Sequence, residues 1–198
     1  MESPRSEVHK HGTPLSQGTL QLFNGLGRPR SGLSGEISIR EARENELPLI
    51  MKMSVDELPA ELSEVELSHL ESVKKEFARR LESLLRRGGN EFYVAEARGS
   101  PGIAGYVWFG VSERPFSGVQ VGWIYDIMVL PTHRGKGVGE ALLRHAVRVI
   151  RERGFIETGL MVNSKNRVAR SLYEKLGFQP QYIIMARDEG QALPGSNG

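Results

Sequence analysis

Three alternating glycines, accompanied by two basic residues, stand between a predicted strand and a predicted helix. The segment consists of Arg134, Gly135, Lys136, Gly137, Val138 and Gly139. The first turn of a helix leaves backbone N–H groups unpaired and carries a partial positive charge, which suits an anion. Glycines let that backbone approach a phosphate closely, and the basic side chains add charge. The pattern predicts a diphosphate site, with a tight turn that binds no ligand as the alternative.

Two familiar nucleotide motifs do not fit this segment. A P-loop needs Ser or Thr after its Gly-Lys pair, whereas Gly137 follows Lys136 here. A dinucleotide-binding turn needs a third glycine three positions after the second, where this chain has Glu140. The diphosphate must therefore belong to another class of ligand.

A second group of spaced residues follows further along the chain: Asn166, Ala169, Tyr173, Gly177 and Phe178. Together with Arg134, Gly137 and Gly139, this spacing resembles the two sequence signatures of the GNAT acetyltransferase superfamily. The resemblance includes the order of elements from Ile37 to Arg187, about three quarters of the chain. It implies an α+β fold whose mixed central sheet splays at the fourth and fifth strands and is flanked by helices.

The resemblance also implies acetyl-CoA as the acetyl donor, with no metal. Backbone N–H groups of 134–139 would hold the pyrophosphate, the pantetheine arm would lie along 127–129, and the Val129 N–H would polarise the acetyl carbonyl. Asn163 or Asn166 would contact the pantetheine or fix the last helix, although a helix cap fits either position equally well. The implied cofactor-binding residues are Ile127, Met128, Val129, Arg134, Gly135, Lys136, Gly137, Val138, Gly139, Asn163, Asn166 and Tyr173.

Tyr173 resembles the general acid of the family, which protonates the CoA thiolate as the tetrahedral intermediate collapses. A phenol suits this role because its reference pKa near ~10 keeps it protonated at neutral pH. The alternative is a core aromatic residue, since Val168, Leu172 and Leu176 surround Tyr173 at helical spacing.

The general base departs from the family pattern. Many members carry Glu on the fourth strand, four residues before the motif valine, and this chain has Tyr125 there with Asp126 beside it. An ammonium acceptor with a pKa near ~10 must lose its proton before it attacks. Asp126 is the candidate base. Its alternatives are a structural hydrogen bond or a contact with substrate, in which case water and backbone carbonyls would serve for the proton transfer.

Six carboxylates lie within residues 56–71, the segment that commonly lines the acceptor site in the family. An acidic rim would concentrate a cationic amine, whereas a solvated helix start is the simpler explanation of the same charges. The resemblance implies direct transfer of acetyl, through a ternary complex, and the absence of cysteine agrees with a direct route. The expected acceptor is a primary amine: a polyamine, a lysine side chain or a protein N-terminus. Because the family glutamate is missing, the alternative is a GNAT-like module that binds acetyl-CoA without catalysis.

The elements that must position these residues follow the order β-α-α-β-β-β-α-β-α-β. Alternating apolar residues predict the first strand at Ile37 and Ile39. Helices are predicted from Asn45 to about Ser54, from about Glu64 to Arg87 behind a Ser63–Glu66 capping box, after the glycine segment, and over 167–176. The other strands are predicted at 92–96, 104–111, 120–129, 157–162 and 181–187.

Length and composition limit the remaining choices. The chain has 198 residues, 26 Lys and Arg against 24 Asp and Glu, and no cysteine, so it has no disulfide, thiolate zinc site or cysteine nucleophile. Residues 1–35 are predicted to be a flexible arm, 36–188 the acetyltransferase domain and 189–198 a flexible tail. We expect no nucleic-acid partner, no membrane span and a cytoplasmic location. The oligomeric state stays open, with homodimers common in the family.

Overall fold

The centre of the domain is one mixed sheet of five strands. The computed structural model describes residues 37–187, so the predicted arm and tail lie outside the described residues. The strands are β1 (Ile37–Glu41), β2 (Glu91–Ala97), β3 (Gly105–Glu113), β4 (Gln120–Val129) and β5 (Thr158–Leu160). They lie in that order, the first four antiparallel to their neighbours and β5 parallel to β4. The expected α+β architecture is confirmed.

Residues 37–187 also contain five α-helices. They are α1 (Leu47–Glu57), α2 (Glu64–Leu67), α3 (Leu70–Arg86), α4 (Val138–Glu152) and α5 (Arg167–Lys175). Short 3-10 turns occupy Glu44–Glu46, Leu58–Glu61 and Pro131–His133. Over residues 37–187, none of the helices combines the length and the apolar character needed to cross a bilayer.

Each face of the sheet has its own core, because successive side chains of a strand point to opposite faces. Along β3, Val107 and Phe109 pack with Leu142 of α4, whereas Tyr106 and Trp108 pack on the other face. The second core includes Ile50 of α1 and Leu81 of α3, so these helices cover the face opposite to α4. Helices α4 and α5, which carry predicted site residues, therefore lie on one face of the sheet, and α1 and α3 lie on the other.

A β-bulge in β4 determines on which face of the sheet Asp126 lies. Trp108 of β3 pairs with Asp126 and Phe109 pairs with Ile124, so Tyr125 is the extra residue on β4. Directly opposed residues in a sheet share a face, and Asp126 therefore lies on the face of Trp108, towards α1. The bulge brings the candidate base to the side of the sheet that α1 covers.

The helix predicted from Glu64 to Arg87 is two helices. The Ser63–Glu66 capping box is present, but α2 ends at Leu67 and α3 begins at Leu70. His69, with φ −119° and ψ 29°, leaves the helical conformation. The Ser68 hydroxyl donates to the Val65 carbonyl at 2.7 Å, a local bond that competes with helical pairing. The first predicted helix begins at Leu47, after a 3-10 turn, and continues to Glu57.

The strand predicted at 181–187 is wrong: these residues form no strand in the structure. Ile183, Ile184 and Met185 are 82–89% exposed. Their apolar and β-branched side chains favour extended structure, but a strand also needs a neighbouring backbone with which to pair. Side-chain pattern alone could not show whether that neighbour is present.

Candidate functional site

The glycine segment links the end of β4 to the start of α4. Gly135 and Gly137 have φ angles of +75° and +82°, in the left-handed region that favours glycine. Gly137 is the N-cap of α4 and supplies no side-chain cap, so the first-turn N–H groups of the helix remain for another acceptor. Arg134 and Lys136 stand in the same turn. The local geometry therefore suits an anion.

The last part of β4 has an open edge. In the described residues, β5 pairs with β4 only over Gly122, Trp123 and Ile124. The Leu130 N–H donates to the Ala104 carbonyl at 2.9 Å, and hydrogen-bonded pairs alternate along an antiparallel ladder. The peptide groups of Val129 and Ile127 therefore face away from β3. The Arg134 Nε–H donates to the Val129 carbonyl at 3.1 Å, in agreement with this direction.

Helix α5 packs directly against the glycine turn and the end of β4. A Cβ atom added to Gly139 would lie 3.4 Å from Leu172 Cδ2 and 3.4 Å from Val129 Cγ2. Position 139 is thus a close three-way contact of α4, α5 and β4. The next residue after Leu172 is Tyr173, so this contact brings the candidate acid to the same region as the open edge.

Tyr173 is buried, with 9% of its surface exposed, and belongs to the core on the α4 face of the sheet. Burial raises the pKa of its phenol to about 12, and the nearby charges of Asp126 and Glu61 add to this effect. The phenol is consequently protonated throughout the neutral range. Tyr173 is therefore a core residue, which is the alternative that the sequence left open. Its burial also keeps the phenol protonated, as a general acid requires.

Asp126 is held by two hydroxyl groups. Ser54 Oγ–H and Tyr106 Oη–H donate to the same oxygen, Oδ2, at 2.6 and 2.7 Å. Burial raises the pKa of Asp126, although these bonds and one from the Ile127 N–H favour its charged form. A structural hydrogen bond, one alternative for Asp126, is thus present, and its role as a base remains a prediction. No sequence motif pointed to Ser54 or Tyr106.

Ser54, Glu57 and Glu61 form a line, here called the polar stripe, along α1 and the 3-10 turn after it. Ser54 and Glu57 share one side of α1 by their three-residue spacing, and Glu61 ends the 3-10 turn that follows. Glu57 Oε2 accepts a hydrogen bond of 3.3 Å from the Arg134 guanidinium, so the stripe reaches the glycine turn. Because Ser54 binds Asp126, the stripe connects the candidate base to the candidate anion site.

The stripe ends at the loop before α5. Asn163 Nδ2 donates to the Glu61 carbonyl at 3.0 Å, and Asn166 Nδ2 donates to Glu61 Oε1 at 2.8 Å. Asn166 Oδ1 accepts from the Ala169 N–H at 3.1 Å and caps α5, as one of the two interpretations predicted. Asn163 Oδ1 accepts from the Lys165 N–H. Contacts of either asparagine with pantetheine stay a prediction.

The residues at this junction fit acetyl-CoA by their chemistry. The uncapped helix start and two basic side chains suit the diphosphate, and the outward-facing peptide groups of β4 suit the amides of the pantetheine arm. Within residues 37–187, no group of three or more His, Asp or Glu residues could hold a metal ion. The structure therefore supplies positions for a diphosphate and an extended amide chain.

Comparison with known families gives an independent assignment. Residues 54–178 match the model of the "Acetyltransferase (GNAT) family", more than half of the chain. The matched range begins at Ser54 and ends at Phe178, so it includes the polar stripe, β4, the glycine turn and α5.

Three curated relatives illustrate the range of similar proteins. An uncharacterised N-acetyltransferase of Methanocaldococcus jannaschii is 32% identical over 56% of this chain and 49% of its own length. A mycothiol acetyltransferase of Thermobifida fusca is 37% identical over 44% of this chain and 28% of its own length. The chain thus spans half or less of these two relatives. The thialysine N-epsilon-acetyltransferase of Mus musculus is 33% identical over 78% of this chain and 94% of its own length.

Solved structures show the same fold. An acetyl transferase structure from Pyrococcus furiosus has a TM-score of 0.65 and 28% identity, and covers 77% of this chain and 99% of its own. A Clostridium acetobutylicum protein solved with acetyl-CoA has a TM-score of 0.57 over 77% of this chain and 96% of its own, and its 20% identity supports the fold alone. By its family match and its similarity to the mouse enzyme over 94% of that enzyme's length, the chain belongs to the GNAT family of acetyltransferases.

Proposed function

We propose that the protein is an acetyl-CoA-dependent N-acetyltransferase that transfers acetyl directly to a primary amine within a ternary complex. One observation carries this proposal: the glycine turn, the end of β4 and helix α5, which carries the buried Tyr173, meet at Gly139. A diphosphate site, an extended amide-binding edge and a protonated acid are the three parts that this transfer needs.

The donor would be held mainly by backbone groups. The N–H groups of residues 134–139 would bind the diphosphate, with Arg134 and Lys136 adding charge. The open edge at Ile127 and Val129 would bind the pantetheine amides, and the Val129 N–H would polarise the acetyl carbonyl. When bound, acetyl-CoA supplies an acetyl thioester. The chain's own residues then have two tasks: to remove a proton from the acceptor nitrogen and to donate a proton to the leaving sulfur.

Asp126 and Tyr173 divide these two tasks. Asp126 lies on the face of the sheet covered by α1, whereas Tyr173 belongs to the core on the α4 face. Tyr173 keeps its proton at neutral pH because its pKa is raised to about 12, so it suits the donor to the leaving sulfur. Asp126, a carboxylate on the other side, suits the acceptor of the amine proton.

The acceptor is proposed to be a cationic amine that approaches along the polar stripe. Glu57 and Glu61 add two carboxylates near Asp126 and Tyr173, since their charges act on those two groups. Such a rim concentrates cations and positions a second positive charge away from the reacting nitrogen. The mouse relative, by its name, acetylates the ε-nitrogen of thialysine, which is an amine of this class.

Calorimetric titration with acetyl-CoA, followed by an acetylation assay, tests the proposal. We expect saturable binding and transfer of acetyl to polyamines or lysine-like amines. Binding without transfer to any amine would favour the non-catalytic module, and absence of binding at millimolar acetyl-CoA would contradict the donor site.

Removing the two carboxylates of the polar stripe should weaken the capture of cationic acceptors. We expect the double variant Glu57→Gln/Glu61→Gln to raise KM for a diamine by roughly three- to tenfold, since each partly exposed ion pair contributes about 0.2–1 kcal/mol. The KM for a neutral-tailed monoamine should change less, because it lacks the second charge. Steady-state kinetics with both amines at saturating acetyl-CoA measures the difference.

The matched control is the double variant Glu64→Gln/Glu71→Gln. It removes the same net charge from α2 and α3, outside the polar stripe. If both double variants raise KM for the diamine equally, the effect is one of overall charge and the stripe has no specific role. High salt should reduce the effect of the stripe variant, as expected for exposed charges.

A further inference from the structure

The guanidinium of Arg134 contacts both the open edge of β4 and the polar stripe. Its Nε–H donates to the Val129 carbonyl at 3.1 Å, and its Nη2–H donates to Glu57 Oε2 at 3.3 Å. Glu57 and Arg134 are 77 positions apart in the chain, so only the fold brings them together. One side chain of the glycine turn thus links the proposed donor site to the proposed acceptor site.

Both partners of this ion pair are accessible to a ligand. The side chain of Arg134 is 56% exposed and that of Glu57 is 43% exposed. Exposed ion pairs are weak, because water solvates each charge and holding two long side chains together costs entropy. Either group can therefore exchange its partner for a charged ligand at small cost to the fold.

Glu57 also acts on the candidate base. Burial is the main cause of the raised pKa of Asp126, and the negative charge of Glu57 adds to it. Glu57 is therefore close enough to interact with both Arg134 and Asp126. A diamine that reacts at one nitrogen near Asp126 would compete with Arg134 for Glu57 by its second ammonium group.

We propose that Glu57 and Arg134 couple the two substrate sites by exchanging partners, an inference that rests on the proposed acetyltransferase function. Arg134 binds either Glu57 or the diphosphate of CoA, and Glu57 binds either Arg134 or the second ammonium of the acceptor. When Arg134 turns to the diphosphate, Glu57 becomes available to the acceptor, and the reverse also holds. Each substrate therefore increases the affinity for the other by the same factor, as thermodynamic linkage requires.

Titration of CoA with and without a saturating diamine measures this coupling. CoA carries the diphosphate but no acetyl group, so no transfer takes place in the calorimeter. We expect the diamine putrescine to lower the dissociation constant of CoA by about two- to fivefold, the range expected for one exposed ion pair. In the reverse titration, CoA should lower the dissociation constant of putrescine by the same factor.

Glu57→Gln and Arg134→Gln separate partner exchange from simple attraction between the two ligands. Glu57→Gln should bind CoA about two- to fivefold more tightly than the parent, because Arg134 no longer has a competing partner. Saturating putrescine should then improve CoA binding no further. Arg134→Gln should bind CoA more weakly, and adding Glu57→Gln to it should bring no improvement. Glu64→Gln, on α2 and outside the polar stripe, is the control of equal charge and should behave as the parent does.

Three results would overturn the exchange in variants that circular dichroism shows to be folded. The first is a CoA affinity of the parent that does not respond to putrescine. The second is an equal response in Glu57→Gln, which would show direct attraction between the ligands. The third is an equal gain from Glu57→Gln with and without Arg134, which would show a general effect of charge. If the parent does not bind CoA at millimolar concentration, the proposed function fails and the exchange with it, whereas CoA binding without coupling removes the exchange alone.

Discussion

Replacement of Gly137 by valine should raise the dissociation constant of acetyl-CoA by about 100-fold or more. Gly137 has a φ of +82° and precedes the first turn of α4, where a branched side chain is strained and stands over the N–H groups. A hydrogen bond to a charged group contributes about 1.5–3 kcal/mol, so losing two such bonds gives this change in the dissociation constant. Isothermal titration calorimetry measures it directly.

Gly154→Val is the matched control at the opposite end of the same helix. Gly154 follows the last turn of α4 and has a φ of +90°, so valine meets a similar backbone strain there. The 15 residues of α4 separate the two sites by about 22 Å. Both variants should therefore lose similar stability, and only Gly137→Val should lose acetyl-CoA binding. Equal binding losses would mean that strain in α4, and not the turn, explains the effect.

The parts of the fold that could be predicted from sequence are those with a local cause. Strand β4 is predicted at its observed bounds because its run of strand-favouring residues ends before Pro131. The change from strand to helix is also predicted, because the glycines before α4 weaken a strand. The Ser63–Glu66 capping box is likewise a local interaction and is present. The strand predicted at 181–187 is absent because strand pairing depends on a distant backbone, which a local pattern does not specify.

The site divides in the same way. The glycine turn and the spacing of Asn166 and Tyr173 are local signals, and both could be found in the sequence. The partners of Asp126 could not, because Ser54 lies 72 residues from it and Tyr106 lies 20 residues from it. Only the β-bulge at Tyr125 and the packing of α1 bring these groups together. The three-residue spacing of Ser54 and Glu57 on α1 is the one available sign of a shared face.

The residues proposed for the two proton transfers have separate locations, which allows each to be replaced alone. Asp126 and its hydrogen-bond partner Ser54 lie towards α1, and Tyr173 lies in the core beneath α4, so a change at one position leaves the hydrogen bonds of the other intact. A variant at Tyr173 should therefore affect the departure of CoA without altering the pH at which the amine loses its proton. This separation makes kinetics with pH more informative than activity at a single pH.

Tyr173→Phe should lower kcat by about 100- to 10,000-fold, the usual contribution of a general acid. The ring remains to fill the core beside Phe178, so the fold and the dissociation constant of acetyl-CoA should change little. Because the pKa of Tyr173 is raised to about 12, the parent enzyme should keep its activity up to about pH 10 without a falling limb from this group. A lower kcat with unchanged acetyl-CoA binding would show that the phenol acts in the chemical step.

Tyr182→Phe is the control for loss of a phenol elsewhere, because Tyr182 is 51% exposed and packs against Phe116 instead of the core. It should leave kcat unchanged. An acetyl thioester donor whose thiol is a better leaving group than CoA provides the decisive comparison, since the thiolate of a thiol with a low pKa needs no proton to depart. Tyr173→Phe should recover much of its rate with that donor if the phenol protonates the leaving sulfur. An equal loss of rate with both donors would show that Tyr173 serves only to pack α5 against the sheet.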